Sequence, residues 1–212
     1  MLGLKPQRPA QFLPSWFIAQ MLNVQRCLLP FQATSCNTPA SSCLSLHATA
    51  LQGVFSQAPD ILSSWNSTID FFNTEPTSQV TIVCYEESIT QLHIIGNKRT
   101  PLLPRNFSMD SFVTTLVKLP DLKVLTLVSF GLWGPSTSKI AHLSSLEILN
   151  MTSNLLYGTI PRELSSVTSL QTLILDDNMF SARLPEWLGS FPVLTVLSLR
   201  KNLFNGSLPD FF

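Results

Sequence analysis

The sequence predicts an α/β solenoid, an arc with short parallel strands on its concave face and irregular or 3₁₀ segments on its convex face. A strict repeat of 24 residues is the first observation, and it is marked by Leu122, Leu146, Leu170 and Leu194. The residues after each of these leucines alternate between apolar and polar, as in a strand with one buried face. A proline recurs later in the regular units, at Pro161, Pro185 and Pro209.

Each regular unit follows the pattern LxxLxLxxNxLxGxIPxxLxxLxx, which is the signature of leucine-rich repeats and of their horseshoe arc. In the unit that starts at Leu170, Leu173 and Leu175 point into the core. The asparagine after each strand can bond backbone groups that the turn leaves unpaired, so stacked units are expected to form an amide ladder. These ladder residues are Asn154, Asn178 and Asn202.

The bend after the ladder residue needs a residue that tolerates positive φ. Gly158 and Gly206 supply it in two units, whereas Ala182 takes that position in the unit between them and is expected to be strained. The following proline fixes φ at the start of the convex segment.

The first units depart from this pattern. Phe130 stands where the ladder asparagine is expected, and Ser136-Thr137 replaces Ile-Pro. Upstream, Ile89, Leu92 and Ile94 predict one more strand, and the extra residues of that unit are expected around 98–110. Five strands about 4.8 Å apart span roughly 20 Å, which suits a peptide segment or one patch of a partner.

Composition excludes several classes of function. The formal net charge is zero and 12% of the 212 residues are charged, so the basic stripe of a nucleic-acid binder is absent. The sequence has no run of about 18 apolar residues that would span a membrane. It contains no Gly-rich loop, HRD or DFG motif, and Ser136-x-x-Lys139 lacks partner motifs, so we predict no enzyme. The scattered histidines and cysteines predict no metal site and no cofactor.

Four glycosylation sequons, at Asn66, Asn106, Asn150 and Asn205, favour a secreted or cell-surface protein. Residues 1–49 form an irregular leader that is expected to be disordered or an atypical signal region. The thiols of Cys27, Cys36 and Cys43 fall in this leader, and no structural role is expected for them.

The binding surface is predicted on the concave face, at polar positions between the buried leucines. The candidates are Lys123, Thr126, Glu147, Asn150, Thr152, Gln171, Asp176, Ser198 and Arg200, with Val128 and Ile174 beside them. The doublets Asp176-Asp177 and Arg200-Lys201 occupy equivalent positions in adjacent units, so they form either a lateral ion-pair cluster or an anchor for a ligand's charged end. His93 is expected to be a surface histidine on the same face.

Several runs resemble a known group. The Gly-x-Ile-Pro repeats are similar to the plant-specific class of leucine-rich repeats, and ALQGVFSQAPDILSSW, residues 50–65, resembles the amphipathic helix and Trp65 of the plant N-terminal cap. Residues 78–127, with ITQLHIIG and TPLLPRNFS, resemble the ectodomain of the probable inactive leucine-rich-repeat receptor-like kinases of plants.

The resemblance spans residues 50–212 and implies a helical N-terminal cap over 50–88 and a solenoid of about five units over 89–212. It also implies a plasma-membrane receptor whose repeats face outward and bind a peptide, a protein or a co-receptor ectodomain. The transmembrane and kinase regions of such receptors would follow beyond Phe212, which lies inside a repeat.

Two departures from the family pattern carry expectations. Phe72 stands near the position of the first cap cysteine and Cys84 fits the second, so Cys84 is expected to be unpaired. Leu199, Phe204 and Leu208 are expected to face solvent at an uncapped end. That end supports an alternative function, in which the chain is a stand-alone scaffold or decoy that pairs with other leucine-rich-repeat proteins.

Overall fold

A computed structural model describes residues 47, 49–54, 56, 80–96 and 102–207, all of which lie in one compact unit. The predictions for Trp65, Asn66, Leu208 and the leader cysteines fall outside the described residues. Ten strands are present in this part of the chain. They are β1 (Val80–Tyr85), β2 (Ser88–Ile95), β3 (Val124–Val128), β4 (Trp133–Pro135), β5 (Ile148–Asn150), β6 (Leu155–Gly158), β7 (Thr172–Ile174), β8 (Met179–Ala182), β9 (Val196–Ser198) and β10 (Leu203–Phe204).

The concave face is a six-stranded sheet in the order β1-β2-β3-β5-β7-β9. From β2 onward all neighbours are parallel and in register, with Leu92 opposite Leu125 and Leu125 opposite Leu149. The five predicted strands are therefore confirmed. The antiparallel strand β1 was not predicted, because its turn at Glu86-Glu87 lacks the Asn-Gly or Gly signal of a tight hairpin.

A second, four-stranded parallel sheet in the order β10-β8-β6-β4 flanks the first. It forms from the residues directly after the ladder position, which the sequence analysis assigned to a bend. Its strands have two to four residues each, too short for a period of two to be recognised in the sequence.

The convex side carries 3₁₀ helices at Ser138–His142, Arg162–Ser166 and Glu186–Ser190, as the sequence predicts. Pro161 (φ −62°) and Pro185 (φ −70°) directly precede two of them, with the restricted φ that proline imposes.

The unit with extra residues carries an α-helix instead, α1 (Met109–Leu116), whose first turn is capped by the Ser108 hydroxyl. Residues 49–54 are also helical and pack against α1. Gly53 allows this close approach, because a Cβ there would lie 2.5 Å from Cγ2 of Thr115.

The ladder asparagines join adjacent repeats. Oδ1 of Asn154 accepts hydrogen bonds from the backbone N–H groups of Phe130 (3.2 Å) and Leu132 (3.1 Å), and its Nδ2 donates to Leu127 O at 2.7 Å. Asn178 and Asn202 repeat this arrangement one and two units later.

In the unit that begins at Leu122, Phe130 takes the ladder position, and an aromatic contact takes the place of the amide. Its ring is fully buried and its centroid lies 6.0 Å from that of Phe112 on α1. Phe130 therefore packs against the irregular helix of the preceding unit.

Two expectations drawn from the family pattern are wrong. Cys84 is disulfide-bonded, and its partner lies outside the described residues. The family pattern placed a partner near Phe72, but this chain pairs Cys84 with a cysteine elsewhere in the sequence. Leu199 and Phe204 do not face solvent fully. They are half-buried against the core, with the Phe204 ring stacked 6.4 Å from Phe180.

Candidate ligand-binding surface

Side chains on the concave face form columns that cross the strands, because parallel strands in register align every second residue. The central column is His93, Thr126, Asn150, Ile174 and Ser198. One column on the C-terminal side contains Ile95, Val128, Thr152, Asp176 and Arg200. A third column was missed by the sequence analysis, although the same alternation two residues earlier could have found it. It comprises Gln91, Val124, Ile148, Thr172 and Val196.

The predicted binding residues differ in accessibility. Lys123, Gln171 and Arg200 are exposed, and Glu147, Asn150, Thr152 and Ser198 are half-buried. Thr126 and Asp176 are buried, with 3% and 8% of their surface exposed. A ligand on this face would therefore contact the exposed and the half-buried residues. It would contact only the small exposed parts of Thr126 and Asp176.

Asp176 is saturated by its neighbours on the next repeat. Its carboxylate accepts hydrogen bonds from Ser198 Oγ (2.7 Å), Arg200 N (2.8 Å) and Arg200 Nε (3.2 Å). The guanidinium Nη2 of Arg200 lies 3.1 Å from the same carboxylate, yet 82% of the Arg200 side chain is exposed. Asp176 thus holds the guanidinium in place, and Arg200 presents the remaining donors to solvent.

A second ion pair lies near the N-terminal ends of the strands. Lys123 Nζ is 3.1 Å from Glu147 Oε1, and 54% of the Lys123 side chain and 36% of the Glu147 side chain are exposed. Exposed pairs of this kind contribute about 0–1 kcal/mol, so their role on this surface is to balance charge rather than to stabilise the fold.

Asn150 combines a surface position with a local turn. Its Oδ1 accepts hydrogen bonds from Thr152 N (3.1 Å) and Thr152 Oγ1 (2.7 Å), the two groups of its own sequon. Because Asn150 lies in the central column, a glycan on its amide nitrogen would project from the middle of the concave face.

His93 and Thr126 form a buried, uncharged patch at the N-terminal end of the central column. His93 is 8% exposed, so the expectation of a surface histidine is wrong, and burial lowers the pKa of its imidazole. Its Nε2 lies 3.2 Å from Gln91 Oε1. The adjacent Thr126 hydroxyl is buried without a hydrogen-bond partner among the described residues.

Other chemistry is not assembled in the described part of the chain. It contains no group of histidine, cysteine and acidic residues that could hold a metal, and no helix with the length and apolarity to cross a bilayer. Lys139 Nζ forms a salt bridge with Asp110 and donates a hydrogen bond to Thr114 Oγ1, so its ammonium is engaged with these two residues rather than with Ser136. The Lys139 and Thr137 hydrogen bonds lower the pKa of Asp110 and fasten α1 to the next convex helix.

The match to known sequences follows the repeats. The Leucine Rich Repeat family model matches residues 145–167 and 169–191. A probable inactive leucine-rich repeat receptor-like protein kinase of Arabidopsis thaliana is 65% identical over 86 residues, which are 41% of this chain and 11% of the relative. A probable leucine-rich-repeat receptor-like serine/threonine-protein kinase of the same plant is 42% identical over 88 residues, 42% of this chain and 12% of the relative.

The fold also matches a solved structure. A chain in the crystal structure of the BIR3–SERK2 complex from Arabidopsis thaliana superposes with a TM-score of 0.59 at 25% identity, covering 77% of this chain and 86% of the other. The same class of domain is indicated by the repeat spacing, the amide ladder, the second sheet and the sequence identities. The described solenoid is therefore a leucine-rich-repeat domain of the type carried by plant leucine-rich-repeat receptor-like kinases.

Proposed function

We propose that this chain is a non-catalytic binding ectodomain of a plant receptor-like kinase and that its concave face receives an extended peptide, a protein segment or a co-receptor ectodomain. The working site is on the extracellular side of the plasma membrane. The chain spans 11% of the length of the relative to which it is 65% identical. The kinase activity of such receptors would belong to segments other than the repeats.

The observation that carries this proposal is the guanidinium of Arg200. Long cationic side chains on a surface normally lose conformational freedom when they bind, and that loss weakens binding. Asp176 already fixes Arg200 through two side-chain contacts, while most of the side chain stays exposed. A fixed, exposed guanidinium with free donors suits a carboxylate or a backbone carbonyl of a ligand.

The neighbouring surface suits an extended chain that crosses the strands. Half-buried Asn150 and Ser198 offer hydrogen-bonding groups two strands apart in the central column, with half-buried Ile174 between them. Polar groups with an apolar centre are the usual composition of a specific recognition surface.

The similarity to known proteins supports the same assignment. Two relatives, 65% and 42% identical over the aligned segments, are named as probable receptor-like kinases, and the structural match at 25% identity is a chain from a complex of two proteins. A partner ectodomain is therefore as suitable an occupant as a peptide.

A binding screen with a matched arginine control tests the proposal. The full chain, secreted from plant cells, is measured against a panel of plant leucine-rich-repeat ectodomains by biolayer interferometry. Arg200→Ala should weaken the interaction about tenfold, a loss of about 1.4 kcal/mol. Arg162→Ala, which removes an exposed arginine from the convex face, should leave it unchanged. Equal binding by wild type and Arg200→Ala would remove this residue from the site, and loss with Arg162→Ala would move the site to the convex face.

A further inference from the structure

The outward face of the second sheet is unusually apolar. Among the described residues, eight large apolar side chains are markedly exposed, and four of them lie on three neighbouring strands of this sheet. These are Leu155 (36% exposed) and Tyr157 (46%) on β6, Met179 (37%) on β8 and Leu203 (62%) on β10. We call these four residues the flank patch.

Packing of the hydrophobic core does not explain why the flank-patch residues are apolar. Side chains alternate along these short strands, and the inward positions are already filled by Leu156 and Phe180, both fully buried. Leu155 and Met179 occupy the position directly after the ladder asparagine, where the repeat pattern sets no requirement for an apolar residue. Their outward position therefore leaves apolar surface in water without a folding benefit.

The strand register places the four side chains on the same face of three adjacent strands. Tyr157 lies opposite Met179, and Leu203 lies opposite Ser181, diagonally across from Met179, in the parallel pairing of β6, β8 and β10. Neighbouring strands are about 4.8 Å apart, so the patch extends about 10 Å across three repeats. Contiguous apolar surface of this kind on a soluble domain marks a contact with another molecule.

The charge at the border of the patch restricts the partner. The outward positions of the four strands carry no charged residue, and Arg183 directly follows β8. Its aliphatic stem lies over Gly206, where a Cβ would come within 3.0 Å of Arg183 Cγ. No carboxylate of the described residues forms a salt bridge with Arg183. Arg183 therefore places a positive charge without a salt-bridge partner beside the apolar centre.

We propose that the flank patch is a docking surface for a partner protein segment that presents apolar side chains and a carboxylate opposite Arg183. A second copy of this chain fits less well, because the outward positions of these strands would offer its Arg183 no carboxylate. A stable interface buries about 800 Å² on each partner, so the flank patch forms the apolar centre and Arg183 and Ser181 lie at its rim.

A glycosylation sequon adjoins the docking surface. Asn205 is exposed and follows Leu203 by two residues, next to the end of β10. A glycan attached there would stand beside the most exposed residue of the patch. Docking and glycosylation at Asn205 would therefore compete.

Selection from a phage-displayed library of random dodecapeptides on the immobilised full chain tests the proposal. The enriched peptides should combine apolar residues with Asp or Glu. The double substitution Met179→Ser, Leu203→Ser should weaken them at least tenfold, whereas Val193→Ser, which removes a 44% exposed valine elsewhere, should not. Arg183→Glu should weaken them similarly, and changing the peptide's acidic residue to lysine should restore binding to that variant. Unchanged unfolding temperatures would show that the variants are folded.

Several results would overturn the proposal. One is that the enriched peptides bind the double variant and Arg183→Glu with the same affinity as wild type. Another is that the peptides lose affinity only with Arg200→Ala, which would place their site on the concave face. Sedimentation could show a dimer that the double substitution dissociates, making a second copy the occupant. Equal binding by Asn205-glycosylated chain and Asn205→Gln would contradict the predicted competition. Loss of the flank contact leaves the concave-face proposal intact, because Arg183 and Arg200 are tested separately.

Discussion

The ladder asparagines show how single residues hold the repeats in register. Asn178 is 7% exposed, and its Nδ2 donates to Met151 O (2.9 Å), Leu175 O (3.2 Å) and Asp176 O (3.1 Å). Its Oδ1 accepts from the backbone N–H of Leu156 at 3.1 Å. One side chain therefore satisfies backbone groups of two adjacent units that a tight turn would otherwise leave unpaired.

Replacing Asn178 with leucine should destabilise the chain by about 3 kcal/mol. The side chains have similar size, so the loss comes from buried backbone groups left without hydrogen bonds, at about 1–3 kcal/mol each. Urea unfolding measures the difference. Asn205→Ala, at an exposed position outside the ladder, is the control and should change stability by less than about 0.5 kcal/mol. A small effect of Asn178→Leu would mean that water replaces the amide at no cost.

His93 gives the stability a dependence on pH. Burial lowers the pKa of its imidazole below the ordinary value of 6.5, so the unfolded chain binds a proton more readily than the folded chain. Its stabilising contribution is complete above pH 6.5 and is lost as the pH falls through the lowered pKa. Unfolding free energies at pH 7.5 and 5 should differ less in His93→Gln than in wild type. His142→Gln, at an exposed histidine, is the control and should keep the wild-type difference.

At the scale of elements, local sequence predicts what one repeat decides alone. Strands β5, β7 and β9 follow from leucine spacing, and two of the three 3₁₀ helices follow from Pro161 and Pro185. The short strands of the second sheet could not be predicted in this way, since they depend on neighbouring units. Helix α1 was missed although it carries a local signal, the N-cap Ser108 and the apolar residues Met109, Phe112, Val113 and Leu116 at helical spacing. The concave columns were partly predictable from alternation. The burial of Thr126 and Asp176 was not, because it depends on the side chains of adjacent strands.

The bend after β8 contains measurable strain. Ala182 has φ 73°, a left-handed conformation, where Gly158 and Gly206 have φ 86° and 87° in the equivalent bends. Ala182→Gly should stabilise the chain by about 0.5–1 kcal/mol, since relief of the Cβ clash exceeds the entropy lost by glycine. Gly158→Ala should destabilise by a similar amount. Chemical denaturation of both variants measures the two changes, and equal signs would contradict this account of the bend.

The whole molecule is a stack in which each repeat contacts its neighbours, so stability is shared between adjacent units. Burial reflects this arrangement: Leu173 on β7 is fully buried, whereas all three residues of β9 are only half-buried. The two sheets give the stack two distinct surfaces. The concave face combines polar and apolar columns and carries the ion pairs Lys123–Glu147 and Asp176–Arg200. The second sheet presents the flank patch.

The proposal that the concave face binds the ligand is tested most directly by site-specific photo-crosslinking. The experiment uses a partner complex identified by the ectodomain screen. A benzoylphenylalanine is placed either at Gln171, exposed at the edge of the concave sheet, or at Glu163, exposed on the convex 3₁₀ helix. We predict a crosslink to the partner from position 171 and none from position 163. A crosslink from position 163 alone would contradict the assignment of binding to the concave face.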